Sequence, residues 1–373
     1  MIRRLNPRLI FLVVLLLGLA AGEIAREFRP SLLRPGAHLY AYVANAGDGT
    51  VSVIDLVKLS TVATIPVGGA PSGLRALASR KEVWGVSTDG GYAWVLDAAA
   101  RGAAKRIPVG AAPFAVEFSP DGRRAYVAAS GANSIVAIDT ATQQVVARAR
   151  TRRRPWVARV TPDGRTLLVP SRDDSTLELF DAVTLAPLGT IGVAQHPEQV
   201  VVLPDNSVAF VSATEAHQIS AVDLRRRVLL TNLQLGGTPE HMLLKPDGGE
   251  LYVAVPELHA IEIINTWTTE VAQSMLVGLS PTAGTLTANA DTLYLSDQEA
   301  GRVLPIAIGS RRLDPPIEVG RRPGASRLDP SGELLLVANR ESSDLAVVRV
   351  RTSSLLTMIP VGSRPSDVEV LLF

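Results

Sequence analysis

The chain has 373 residues, 47% of them hydrophobic and 20% charged, with Lys+Arg 37 against Asp+Glu 36. That is ample length for a large buried core, and a formal net charge of +1 gives no whole-molecule electrostatic reason to expect nucleic acid or an anionic membrane as partner. With no cysteine, disulfides, CxxC redox pairs, thiolate zinc sites, covalent haem attachment and a lipidated N-terminal cysteine are all excluded.

At the N-terminus, Arg3, Arg4 and Arg8 flank an apolar run from Leu9 to Ala21, followed by Gly22 and Glu23. As a helix the run would be roughly 20 Å long, short of the ~30 Å hydrocarbon core of a bilayer. A basic start, a short apolar centre and the small residues Ala20, Ala21 and Gly22 describe residues 1–22 as a signal peptide, or alternatively an uncleaved membrane anchor. Residues 23–38, with Pro30 and Pro35, read as a linker. The expected location is extracytoplasmic, in the periplasm or at the cell surface, with membrane contact only through this N-terminal segment.

From residue 39 onward the chain repeats every 42 residues. Starting at Pro71, steps of 42 land on Pro113, Pro155, Pro197, Pro239, Pro281, Pro323 and Pro365. A second series from Tyr42 reaches Trp84, Tyr126, Leu168, Phe210, Tyr252, Tyr294 and Leu336, all large and apolar. A third gives Asp55, Asp97, Asp139, Asp181 and Asp223 before drifting to Asn265, Ala307 and Arg349. Spacing without insertions over eight units is the mark of a closed repeat array.

Each unit reads as four short strands. Ala115–Ser119 leads through the turn SPDG into AYVAAS (125–130), IVAID (135–139) and VVARA (145–149), with apolar residues alternating at period two. The turn returns as TPDG (161–164), LPDN (203–206), KPDG (245–248) and DPSG (329–332). Proline presets φ there, aspartate bonds back to the backbone, and glycine accepts positive φ. The aspartate series falls where a strand ends, so those carboxylates are expected to cap turns rather than to catalyse.

Units of four strands and about 42 residues predict an all-β, eight-bladed β-propeller of four-stranded antiparallel blades over residues 39–373. Phase predicts how it closes. Residues 39–68 supply three outer strands without an inner one, while Pro365-Ser-Asp-Val-Glu-Val matches Pro113-Phe-Ala-Val-Glu-Phe and has nothing after it. The C-terminal strand should therefore complete the first blade and remove two sheet edges. A rival inner strand, Ser31–Arg34, lies one residue out of register.

The segments YVAN (42–45), SVID (52–55), ATIPVGGAP (63–71), RIPVGAAP (106–113) and MIPVGSRP (358–365) closely resemble the YVTN-repeat propellers, to which the YncE-like bacterial proteins belong. The resemblance spans residues 39–373 and implies a fold without implying an activity. WD40 repeats are disfavoured by the lack of any Trp-Asp pair, and the tryptophan-docking repeats of quinoprotein dehydrogenases are not visible.

Departures from the chain's own repeat mark candidate site residues. Most units carry Pro-Val-Gly or similar before the repeat proline, but one carries Arg152, Arg153 and Arg154, then Pro155 and Trp156. Arg321 and Arg322 precede Pro323 in the same phase, four units later, so the two clusters are expected to face one another across the channel. Arg364 adds a charge at another junction, and His196, Glu198, Glu240 and His241 lie beside repeat prolines between them. Paired guanidinium forks suit carboxylate, phosphate or sulfate groups, with Trp156 as an apolar platform. His217 and His259, 42 apart, are expected on equivalent rim loops rather than in a metal site. No metal ligand set, cofactor fingerprint or catalytic triad stands out.

The functional expectation is an exported, non-enzymatic, monomeric scaffold that binds a protein, a glycan or a small anionic ligand at the channel mouth. Nucleic acid is not the expected partner, and no cofactor is assigned. The alternative comes from propellers similar in architecture: a periplasmic haem- or tetrapyrrole-handling protein, with His196 or His241 as axial ligand, or a lactonase-like enzyme.

Overall fold

The computed structural model describes residues 37–100, 102 and 104–373. The signal peptide or anchor expected over 1–22, nearly all of the 23–38 linker, and Ser31–Arg34 lie outside the described residues. Eight antiparallel sheets form a closed ring. Blade 1 combines Leu39–Asn45, Thr50–Asp55 and Ser60–Pro66 with the C-terminal strand Pro365–Leu372 as its innermost member. That strand pairs antiparallel with Leu39–Asn45, Val43 opposite Val368, as the phase of the repeat predicts. Beyond it, His38 and Phe373 exchange two backbone hydrogen bonds of 2.7 and 3.0 Å.

Blade 3 shows the common plan: inner strand Pro113–Phe118, then Arg124–Ala129, Ser134–Asp139 and the outermost Gln144–Arg150. The two central strands of each blade are buried on both faces, whereas the outer one alternates with solvent, Gln144–Arg150 reading exposed, intermediate, exposed throughout. The core is therefore divided among the gaps between blades. In one such gap Trp84, Val86 and Val95 of blade 2 meet Val116, Val127 and Ile138 of blade 3. Across the closing seam Val43 and Ile54 of blade 1 pack on Leu336 and Val347 of blade 8. Each such aliphatic side chain contributes about 1.5–3 kcal/mol by leaving water.

The turn chemistry follows the sequence closely. Gly122 closes the SPDG turn at φ 68°, with Asp121 Oδ1 accepting from Arg123 N at 3.0 Å. The capping series behaves as expected: Asp55, Asp97, Asp181 and Asp223 accept the backbone N–H two residues on, and Asp139 the one three residues on, at 2.8–3.0 Å. Asn265 substitutes for aspartate in blade 6, accepting from Trp267 N at 3.0 Å. Two blades depart from the plan, each because proline has no N–H to give a ladder. In blade 7 Pro315-Pro316 divides the outer strand into Arg312–Leu313 and Ile317–Glu318. In blade 4 Pro170, on the strand next to the inner one, leaves that inner strand only Arg159–Val160, plus a single bridge from Pro155 to Ser171.

Candidate ligand-binding mouth

Two local backbone features build one face of the ring. The residue before the repeat proline is left-handed in five junctions: Ala112, Arg154, His196, Arg322 and Arg364 have φ of 51°, 53°, 61°, 52° and 53°. This is an uncommon conformation for residues with a side chain. In these junctions the carbonyl of that residue accepts an N–H from the neighbouring loop of the same blade, a bond that Ala70 and Ser280, which are not left-handed, accept as well. Arg172 N donates to Arg154 O at 3.1 Å, Thr214 N to His196 O at 3.1 Å and Arg340 N to Arg322 O at 3.0 Å. In blade 6 the donor position is occupied by Pro256, which has no N–H, and Thr238 is not left-handed.

Immediately after the proline, the inner strand bulges. The register slips between Pro113 and Val116 and between Pro197 and Val200. A bulge sets two residues against one and re-aims them, which brings the residue after the proline to the channel mouth. Around the ring these residues are Ser72, Phe114, Trp156, Glu198, Glu240, Thr282, Gly324 and Ser366. Only the four consecutive blades 3–6 put large side chains there.

Those side chains form one connected cluster. Phe114 and Trp156 lie with ring centroids 4.0 Å apart and planes inclined by 30°. Arg172, from the loop of blade 4, rests its guanidinium carbon 4.1 Å from the Trp156 centroid. Its Nη2 donates to Glu198 Oε1 at 2.7 Å and to His196 Nδ1 at 3.2 Å. Because a guanidinium only donates, His196 Nδ1 must accept, which leaves the ring proton on Nε2, 3.7 Å from Glu215 Oε1. Thr214 Oγ1 ties the group together, 3.1 Å from His196 Nδ1 and 3.2 Å from Glu198 Oε1. Burial lowers the proton affinity of Arg172 and the Glu198 carboxylate works against that shift.

Glu240 and His241 continue the cluster into blade 6. Glu240 reaches solvent, yet the surrounding wall desolvates it, and with Glu198 and Glu257 nearby its carboxyl is raised above the usual range. His241, on the inner strand His241–Leu244, is pushed down to about 4 by desolvation and then by the charge of Arg327. At neutral pH its imidazole is uncharged.

The expected arginine clusters occupy the junctions of blades 3/4 and 7/8, four blades apart in the ring of eight. Most of their charge is already matched. Arg153 donates Nε and Nη2 to Asp174 Oδ1 at 2.9 and 2.7 Å. Arg154 lies 3.6 Å from Asp173, and Arg322 3.4 Å from Glu341. The backbone N–H of Arg152 binds Glu178 at 2.9 Å. Among the described residues, the side chains of Arg152, Arg321 and Arg364 have no ion-pair partner. The structure thus unites Trp156, His196 and Glu198 with Arg172, and leaves the arginines at the rim. His217 and His259 sit in left-handed positions on neighbouring rim loops, and the described residues contain no group of three or more His, Asp and Glu poised to hold a metal.

Sequence reasoning missed Phe114 and Arg172. Both carry the signal that singled out Trp156: Phe114 is one repeat before it, and Arg172 and Arg340 are the two arginines in the series 46, 88, 130, 172, 214, 256, 298 and 340.

Neither a protein-family model nor a curated protein sequence matches the chain. Solved structures share its fold. Dihydro-heme d1 dehydrogenase NirN, in complex with DHE, superposes with a TM-score of 0.75 at 16% identity, over 88% of this chain and 74% of that one. A functionally unknown protein from Desulfotomaculum acetoxidans gives a TM-score of 0.60 at 14% identity, covering 89% and 98%. Hydrazine synthase from Kuenenia stuttgartiensis gives 0.57 at 17% identity, covering 68% and 88%.

Proposed function

We propose that this eight-bladed propeller is an exported, monomeric binding scaffold of the YVTN-repeat kind whose channel mouth takes an anionic glycan. One observation carries the reading: the exposed ring of Phe114, stacked on a Trp156 whose other face Arg172 covers, is bordered by the carboxylates Glu198 and Glu240 on one side of a mouth whose other side presents Arg321 and Arg364, which have no ion-pair partner among the described residues. Aromatic faces pack on the apolar faces of sugar rings, and carboxylates accept their hydroxyls. Guanidinium forks bind uronate or sulfate groups. The rigid ring holds these groups in place while the loops remain free to vary. Export is supported by the basic and apolar N-terminal pattern.

The test is titration with acidic oligosaccharides such as oligogalacturonate against neutral malto-oligosaccharides, followed by tryptophan fluorescence. Phe114→Ala should abolish binding, and Arg321→Ala with Arg364→Ala should weaken it and flatten its salt dependence. Equal affinity in all three proteins sinks the reading.

A second reading has its own support. His241 is a neutral imidazole in the channel wall, the state a metal in a macrocycle requires of an axial ligand, and the NirN structure of like fold holds DHE. A Soret band that develops on haem addition and is lost in His241→Ala would favour tetrapyrrole binding. Unchanged spectra dispose of it.

A further inference from the structure

Below the mouth, the residue four places after each repeat proline lies on the inner strand, and the repeat reveals a pattern there. Steps of 42 from Arg75 give Arg75, Glu117, Arg159, Val201, Leu243, Thr285, Arg327 and Glu369. Around the ring, five adjacent blades carry alternating charge, Arg327–Glu369–Arg75–Glu117–Arg159, and the other three carry Val201, Leu243 and Thr285. The links are physical: Arg327 to Glu369 at 3.1 Å, Arg75 to Glu117 at 3.9 Å and Arg159 to Glu117 at 2.6 Å.

Within the ladder three guanidiniums share two carboxylates, and the third nearby carboxylate, Asp367, acts on Glu369 in blade 1, three blades from Arg159. At one end of the ladder Arg159 borders the apolar wall, and there a cavity of about 340 Å³ opens, lined by Glu117, Phe118, Arg159, Val200, Val201 and Val202 among others. Arg159 spends Nη1 on Glu117 and Nε on Val200 O at 3.1 Å, which leaves Nη2 without an acceptor among the described residues. A cavity of a few hundred Å³ with an apolar wall and the Arg159–Glu117 pair at its edge, the unused edge of the Arg159 guanidinium included, has the size of a small-molecule site.

We propose that this level of the channel is a second binding site, separate from the mouth, for a small organic monoanion with an apolar body. The carboxylate would take the unused edge of Arg159, and the apolar body would lie on Val201 and Phe118. Inorganic anions satisfy only the first requirement, and neutral aromatics only the second.

Benzoate, benzyl alcohol and inorganic phosphate are the probes, titrated into the full chain by calorimetry up to about 20 mM. Benzoate should bind at least about tenfold tighter than either of the others. Arg159→Gln should weaken benzoate by about tenfold or more. Val201→Glu, which leaves every rung of the ladder intact and so tests the site even if the first variant fails to fold, should abolish binding. Arg321→Ala with Arg364→Ala should leave it unchanged, which separates this site from the mouth. No benzoate binding, phosphate binding as tightly as benzoate, or a Val201→Glu protein that still binds would each overturn the proposal.

Discussion

Arg172 packs over Trp156, its guanidinium carbon 4.1 Å from the ring centroid, while its Nη2 holds Glu198 at 2.7 Å. This one side chain joins the aromatic and acidic halves of the mouth across the junction of blades 4 and 5. Its side chain is only 13% exposed, and its Nε is buried without a partner. Such an arrangement is rigid, and it is costly to break.

Arg172→Leu should destabilise the protein by about 1–3 kcal/mol, because Glu198 loses its charged partner in a half-buried place. Urea denaturation of Arg172→Leu, Glu198→Gln and the double variant measures it. The double variant should be less destabilised than the two singles summed. Additive losses would show that the pair is not coupled.

His241 makes stability depend on pH with a definite sign. Its folded value of about 4 lies below the ordinary 6.5. The unfolded chain therefore takes up a proton first as pH falls, and the stability contributed above pH 6.5 is lost progressively down to about pH 4. The swing should be on the order of 1–3 kcal/mol. The stability difference between wild type and His241→Gln, measured by chemical denaturation across this window, should show it. A difference independent of pH counts against a depressed His241.

Glu262 has the opposite sign. It is buried on the strand Ala260–Asn265, its Oε2 has no partner, and desolvation raises its carboxyl above the usual range. A raised value means that the fold favours the protonated form, so stability present in acid is lost as pH rises through the folded value. Glu262→Gln removes that loss. Its melting temperature relative to wild type should climb as pH rises above the ordinary carboxyl value of 4.5, and a gap that shrinks with rising pH would refute the sign.

Ring closure rests on the last strand. Val368 and Leu371 are each 1% exposed, and Val368 packs in the seam with blade 8. Val368→Asp should cost roughly 3 kcal/mol or more by burying an unpaired charge. Deleting residues 365–373 should expose the edge of Leu39–Asn45 and yield aggregates by size-exclusion chromatography. A monomeric, cooperatively melting truncate would show that the seam is dispensable.

The blade number, the four-strand plan, the turn types and the closing strand were all legible in the order of residues. They arise from short-range causes that repeat: proline and glycine torsions, aspartates bonding to the next backbone N–H, and apolar residues at period two. Even the charged belt of Arg75, Glu117, Arg159, Arg327 and Glu369 can be read by stepping 42 residues, once the inner-strand phase is known.

What the order of residues did not reveal was which charges are spent. Arg153 looked like a ligand-binding fork, but Asp174, 21 residues later, folds back beside it. Arg172 did not stand out at all, yet a left-handed His196 and the bulge after Pro197 accompany a Glu198 that pairs with it at 2.7 Å. Periodicity places a residue on a blade and a face. Whether a side chain then meets a partner depends on ångström-scale separations between loops from different parts of the chain, which only the closed ring brings together.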